Sequence, residues 1–190
     1  MIGVDEVGRG CLAGPLLVVA ARQTKDLPDG ITDSKILNRQ KREAFFEMLL
    51  MTCDFGEGWV KPSEINSRGL TGAMRLGVKR ALKQLQASYH EEIIMDGPIN
   101  YFSSKYREVN CLIDADALVP LVSAASIYAK VKRDRYMIEL AKRHPRYGFE
   151  MHVGYSTPSH KAALKKFGYL KTVHRRYFAP VRALDQVQLW

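Results

Sequence analysis

IGVDEVGRGCLAGPLLVVAA, residues 2–21, reads as two apolar strands, Ile2 to Val7 and Leu16 to Ala21, joined by a glycine-rich connection from Gly8 to Pro15. The first strand ends on two acids, Asp5 and Glu6. Beyond it the apolar period lengthens to that of helices. Residues 38–51 predict a helix burying Ala44, Phe45, Met48 and Leu49, and residues 70–85 repeat apolar side chains at 70, 74, 78, 81, 82 and 85. Glu92 to Asp96 predicts a short buried strand ending on an acid, and Tyr106 to Ile113 another strand. A long helix is expected from Leu121 to Arg143, and Thr157-Pro158 starts a later one, since proline's missing amide is harmless in a first turn. Strands that precede helices indicate an α/β class with a mixed sheet.

At 190 residues, with 46% hydrophobic and 26% charged residues, the composition is that of a folded soluble domain. The longest apolar run, Cys11 to Ala21, is interrupted by Gly14 and Pro15 and is shorter than the ~20 residues of a spanning helix, so no membrane partner is expected. The start of the chain lacks the pattern of a secretory signal, which makes a cytoplasmic location the expectation. Three widely spaced cysteines, Cys11, Cys53 and Cys111, suit neither a disulfide framework nor a structural zinc site. No Gly-x-x-x-x-Gly-Lys-Ser/Thr loop occurs, which disfavours nucleotide triphosphate hydrolysis. Without repeats or linkers, one domain over residues 1–184 is expected, with 185–190 as a tail.

The net charge of +9 is concentrated in one region. Residues 130–182 hold 14 Lys and Arg against 3 acids, whereas the rest of the chain holds 15 and 17. Four histidines and five tyrosines share that stretch, and cations mixed with flat rings suit a phosphate backbone with its sugars and bases. A solvated helical surface accounts for the same charges equally well.

Three acids stand where buried or junctional acids need a reason: Asp5 and Asp96 at strand ends, and Asp116 before the long helix. If the two strands are neighbours, Asp5 and Asp96 emerge side by side, and the helix entry brings Asp116 beside them. Such a cluster either raises a pKa or holds hard divalent cations, and oxygen-only ligands select Mg²⁺ or Mn²⁺. With a basic face nearby in sequence, this points to metal-assisted phosphodiester chemistry, with two ions during catalysis. Helix caps and surface ion pairs are the alternative that carboxylates alone leave open.

Six local motifs decide between them. Asp5-Glu6-Val7-Gly8-Arg9-Gly10, Asp33-Ser34-Lys35, Asp96-Gly97, the string from Ser123 to Asp134, Gly154-Tyr155 and His174 to Phe178 occur in an order that closely resembles bacterial type 2 ribonuclease H, the ribonuclease HII family, over residues 2 to about 184. The resemblance implies the ribonuclease H-like fold, a central mixed β-sheet flanked by helices with a helical C-terminal region. It implies a metal-dependent endonuclease that cleaves RNA in RNA/DNA hybrids and nicks DNA duplexes 5′ of embedded ribonucleotides, leaving 5′-phosphate and 3′-hydroxyl ends. Its catalytic and metal-binding acids map onto Asp5, Glu6, Asp96 and Asp116. Alternate side chains of a strand face opposite ways, so either the strand breaks at Glu6 or the Glu6 backbone carbonyl does part of the binding. Asp114 rivals Asp116, which is preferred because Val-Pro and Ser-Ala-Ala-Ser follow it in the family's register.

The resemblance also assigns substrate contacts: Gly8, Arg9 and Gly10 to the ribose with its 2′-hydroxyl, Tyr155 to the following sugar, and Lys35 and Arg133 to phosphates. Taken alone, the glycines make a tight strand connection, the tyrosine a core residue, Lys35 a solvated lysine and Arg133 an ion-pair partner of Asp134. His152, His160 and His174 have ordinary core or surface roles as the expectation. The related type 3 enzymes resemble a longer chain with an extra N-terminal domain, and a catalytically silent hybrid-binding protein is the alternative outside the enzymes. A monomer is expected. The tail, with Gln186, Leu189 and Trp190, resembles the peptides by which bacterial DNA-processing enzymes dock on the replication sliding clamp; folding of Leu189 and Trp190 onto the protein's own core is equally open.

Overall fold

A computed structural model describes residues 1–31, 34 and 37–185. In chain order the main elements are β1 (Ile2–Val7), β2 (Leu16–Gln23), α1 (Arg39–Leu49), β3 (Cys53–Val60), α2 (Pro62–Gln84), β4 (Ile93–Asp96), β5 (Val109–Leu112), α3 (Ala115–Leu118), α4 (Pro120–Arg143), α5 (Phe149–His152), α6 (Pro158–Phe167) and α7 (Ala179–Arg182). The strands form one sheet in the order β3-β2-β1-β4-β5. β1 runs antiparallel to β2 and parallel to β4, and β4 runs parallel to β5, so the sheet is mixed. Among the described residues no helix is long and apolar enough to cross a membrane, and all three cysteines are free thiols.

The chain forms two compact units: residues 1–7, 17–59 and 74–132 in the first, and residues 8–16, 60–73 and 133 onward in the second. The first is built on the sheet. Val7, Leu17, Val19 and Ala21 share one buried cluster with Phe46 and Leu49 of α1 and with Leu121, Ala124, Ala125, Ile127 and Tyr128 of α4. Tyr128 stacks on Phe46 and Phe55 at centroid distances of 5.1 and 4.0 Å, and its hydroxyl donates to Glu57 Oε1 at 2.7 Å, so the ring is buried without stranding its polar end. The second unit has its own core of Leu12, Ala13, Met137, Leu140, Tyr147, Phe149, Leu164, Val173 and Val181. Thr157 caps α6 by accepting from the His160 amide, with Pro158 in the first turn.

Four elements differ from the sequence expectation. α1 buries Phe46 and Leu49, while Met48 is 43% exposed and Ala44 faces solvent. Adjacent phenylalanines leave the helix's rotation open by about 100°, and stacking on Tyr128 selects Phe46. β3, CDFGEGWV, carries two acids and two glycines, residue types depleted in strands, and its sequence pattern does not reveal it. The expected strand at 106–113 contracts to Val109–Leu112, and α2 runs across a break at Gly69 (φ 67°), so its second half matches the helix expected from Leu70.

Candidate active site

The carboxylates belong to the first unit. β1 and β4 are in parallel register with Val4 opposite Met95, which carries the next residues, Asp5 and Asp96, to neighbouring positions on one face. Asp5 is buried, and its pKa is raised well above the usual carboxylate value, first by burial, then by the charges of Glu6 and Asp96. Among the described residues no cation shifts it; a side-chain hydrogen bond to Ser126 and the Glu6 amide at 2.7 Å offset the rise only partly. Asp96 Oδ1 accepts from the Ala115 amide at 2.8 Å, tying the end of β4 to the first turn of α3, where Asp116 is 2% exposed. Asp114 is exposed at a left-handed position (φ 58°), so Asp116 is the buried member of the pair.

Glu6 follows the strand. β1 keeps its pairing through Val7, with Glu6 opposite Val18, so the strand does not break and the Glu6 side chain leaves the face opposite Asp5. Among the described residues, no three His, Cys, Asp or Glu side chains are drawn together into a metal cage. Asp5 and Asp96 are near enough to raise a pKa, and an all-oxygen donor set of this kind fits a hard divalent cation.

Two serines hold this arrangement from α4. Ser123 Oγ donates to the Asp116 carbonyl at 2.7 Å, and Ser126, bonded to Asp5, lies 2.9 Å from Ser34 Oγ. They are positioning residues that the sequence reading passes over. The signal was present: two serines three apart in the otherwise apolar stretch 119–129 must be paired when buried.

The second unit holds the glycine-rich loop, and two arginines shape it from inside. Arg133, completely buried, donates to the carbonyls of Pro15, Val153 and Ala13 at 2.9, 2.9 and 3.2 Å. It stands in the interior of this unit and not at a surface where phosphate is met, which corrects the phosphate contact expected for it; three backbone acceptors occupy its guanidinium. Arg175 is equally buried and donates to the carbonyls of Gly14 and Gly8 at 2.8 and 2.6 Å, with its Nη2 unsatisfied among the described residues. Burial and the charge of Arg133 pull its pKa down. Nothing in a run of basic residues separates such an interior arginine from solvated ones, so this role was not legible.

The two outer glycines of Gly8-Arg9-Gly10 answer to different constraints. Gly8 has φ 84°, and a Cβ there would lie 2.2 Å from Arg133 Nε, so the protein itself demands glycine. Gly10 is exposed, and a Cβ would meet nothing within 4 Å. Gly154 (φ 87°) accepts from the amides of Leu12 and Ala13 at 2.8 and 3.3 Å, pinning the turn before Tyr155 to the loop. Tyr155 is 38% exposed, with the Arg133 guanidinium 5.9 Å from its ring centroid.

Behind that turn, His152, His160 and His174 are buried; His174 and His160 form a directed chain of hydrogen bonds, and His152 stacks on His160 with ring centroids 4.3 Å apart. His174 Nδ1 accepts from the Leu170 amide at 2.9 Å, so its proton resides on Nε2, which donates to His160 Nε2 at 3.2 Å. His160 Nδ1 then carries the proton given to the Tyr155 carbonyl at 2.8 Å. His152 accepts from the Gly154 amide at Nδ1 (3.2 Å) and donates from Nε2 to the Tyr147 carbonyl (2.8 Å). The bonding requires neutral rings, and burial first, then neighbouring histidines, push His160 down to about 4 and His174 to about 3. Lys35 and Gln186, Leu189 and Trp190 lie outside the described residues.

A mixed sheet in this strand order, with acids at the ends of its two central parallel strands, defines a nuclease of the ribonuclease H-like class. A family model, Ribonuclease HII, matches residues 2–181. Ribonuclease HII of Burkholderia ambifaria is 44% identical over 186 residues, 96% of this chain and 84% of that protein. Among solved structures, the PCNA:RNase HII complex from Archaeoglobus fulgidus matches at 26% identity and TM-score 0.78, covering 93% of this chain and 92% of that one. Ribonuclease H2 from Pyrococcus horikoshii matches at 28% identity and TM-score 0.77, covering 98% and 97%. The chain belongs to the ribonuclease HII family and is an endoribonuclease acting on RNA/DNA hybrids.

Proposed function

We propose that the protein nicks duplexes on the 5′ side of a ribonucleotide, including a single one embedded in DNA, with Asp5, Asp96 and Asp116 as the carboxylates that hold divalent cations. The observation that carries this is the buried Asp5 carboxyl, raised by burial and by the charges of Glu6 and Asp96, with no cation among the described residues to offset it. Glu6 contributes through its backbone carbonyl and through the field of its charge on Asp5, since its side chain leaves the opposite face. Mg²⁺ or Mn²⁺, in a pair, would supply charge neutralisation and Lewis acidity for the hydrolysis. Ser126 and the Glu6 amide orient Asp5, the Ala115 amide orients Asp96, and Ser123 fixes the backbone at Asp116.

Cleavage that leaves a 5′-phosphate on the ribonucleotide breaks a bond to the preceding sugar's 3′ oxygen. The ribonucleotide's own 2′-hydroxyl cannot attack that phosphate in line, so it is recognised rather than consumed. The open space at Gly10 supports close approach of a sugar to Arg9 and Gly10, and the partly exposed Tyr155 ring supports contact with the next sugar. Lys35 remains the proposed phosphate contact, and the exposed cations of the basic region supply affinity for the duplex. We further propose a cytoplasmic monomer that docks on a sliding clamp through Gln186, Leu189 and Trp190, a reading supported by the clamp complex of the Archaeoglobus relative. The decisive test is Asp96→Asn, which should abolish nicking while hybrid binding stays equal or tightens, because a cation ligand and a charge repelling phosphate are lost together. A fully active purified variant would overturn the assignment.

A further inference from the structure

The first unit carries a groove of about 670 Å³ between α2 and the segment linking β4 to β5, and the proposed chemistry makes no use of it. Its wall on α2 presents Arg75, Lys79 and Lys83, spaced four residues apart and therefore on one helical face at steps of about 6 Å. All three are exposed, and among the described residues none forms an ion pair or side-chain hydrogen bond. The opposite wall is aromatic. Tyr89 is 47% exposed and meets Tyr106 edge-on at 5.0 Å, and Lys105 lies 5.7 Å from the Tyr89 ring centroid. Val78 and Leu82, buried side chains of α2, make the floor.

No acid lines the groove. Glu91, whose charge reaches Tyr106, is engaged by Arg22 through two hydrogen bonds of 2.8 Å. The groove thus combines a row of cations at a step comparable to the phosphate spacing of an extended strand with ring faces and an apolar floor. Those are the two components of sequence-independent single-strand binding, backbone-tracking charge and base stacking. A double helix presents its bases edge-on and stacked, and would leave the rings of this groove without partners.

We propose that this groove is an accessory site for single-stranded nucleic acid, with the backbone along Arg75, Lys79 and Lys83 and bases against Tyr89. It would retain a single-stranded segment flanking the duplex that is cut. The site is independent of the nicking reading and can be tested with ribose-free DNA in EDTA, where no cleavage occurs.

The experiment measures fluorescence anisotropy of a labelled oligodeoxythymidylate with wild type, with Lys79→Ala/Lys83→Ala and with Tyr89→Ala. An oligonucleotide bearing 5-iodouracil is photo-cross-linked in parallel and the adduct is mapped by mass spectrometry. Each variant should bind roughly tenfold more weakly, and the adduct should fall on Tyr89. Nicking of a blunt duplex with one ribonucleotide should be unchanged, while a duplex with a single-stranded overhang should lose whatever KM advantage the wild type shows. Wild-type affinity in both variants, adducts confined to residues 130–182, or equal losses on blunt and overhanging duplexes would overturn the proposal. Displacement of the oligonucleotide by polyglutamate at equal charge concentration would overturn it in favour of an acidic peptide.

Discussion

Replacing Gly8 and Gly10 separately by alanine should divide folding from recognition within one three-residue motif. At Gly8 the backbone is left-handed, which costs a non-glycine residue about 1–2 kcal/mol. The new Cβ would also lie 2.2 Å from Arg133 Nε, so the arginine must move away from three carbonyls. Charge-assisted bonds are worth about 1.5–3 kcal/mol each, so partial loss brings the total to about 3 kcal/mol or more. For a chain of this size about 1 kcal/mol shifts Tm by roughly 2–4 °C, so Gly8→Ala should melt roughly 6–12 °C lower. Gly10 is outside the left-handed region and its Cβ meets nothing, so Gly10→Ala should hold or gain about 0.4–1 kcal/mol through the unfolded chain. Thermal unfolding by circular dichroism reads the first quantity, and nicking of a duplex with one embedded ribonucleotide reads the second, where Gly10→Ala should lose at least tenfold. Equal melting of the two variants, or a Gly10→Ala enzyme that nicks at the wild-type rate, would refute the division.

Asp5→Asn should be inactive yet more stable than wild type in EDTA, by on the order of 1 kcal/mol, because a buried charge that feels those of Glu6 and Asp96 is removed; lower stability would contradict the electrostatic reading. The histidine chain gives a signed pH dependence. Unfolded histidines titrate near 6.5 while native His160 and His174 resist protonation to about 4 and about 3, so stability is complete above 6.5 and falls as pH drops below it, by up to about 1.4 kcal/mol per pH unit per ring. Urea titrations between pH 7 and 4.5 should show that slope, and ¹⁵N spectra should report Nδ1–H at His160 and Nε2–H at His152 and His174; the opposite tautomer at His160 would break the chain as described. Deleting Gln186 to Trp190 should abolish binding to a purified sliding clamp with no change in Tm or in nicking by free enzyme, whereas a fall in Tm without clamp binding by the intact chain would make the tail part of the core.

The mixed sheet was legible because β1 and β4 are short apolar runs that end on acids, and the motif order from Asp5 to Phe178 points to one family. Where it failed, local signals were ambiguous or absent. Phe45 and Phe46 offer two faces of α1, and β3 spends four of its eight positions on glycine and acids. Strand alternation foretold the difficulty at Glu6, but only the unbroken ladder through Val7 shows that its side chain departs. Arg133 and Arg175 mark the deeper limit: an arginine satisfied by carbonyls distant in sequence looks like any other cation until the chain is folded.

The most direct test of the account is a denaturing gel of a DNA duplex carrying one ribonucleotide, incubated with the protein in Mg²⁺, in Mn²⁺ and in EDTA, with both fragments' ends analysed. The account predicts a single cut on the 5′ side of the ribonucleotide in either ion, a 5′-phosphate on one fragment and a 3′-hydroxyl on the other, and no cut in EDTA. Cleavage that persists in EDTA, or a cut on the 3′ side leaving a cyclic 2′,3′-phosphate, would contradict it.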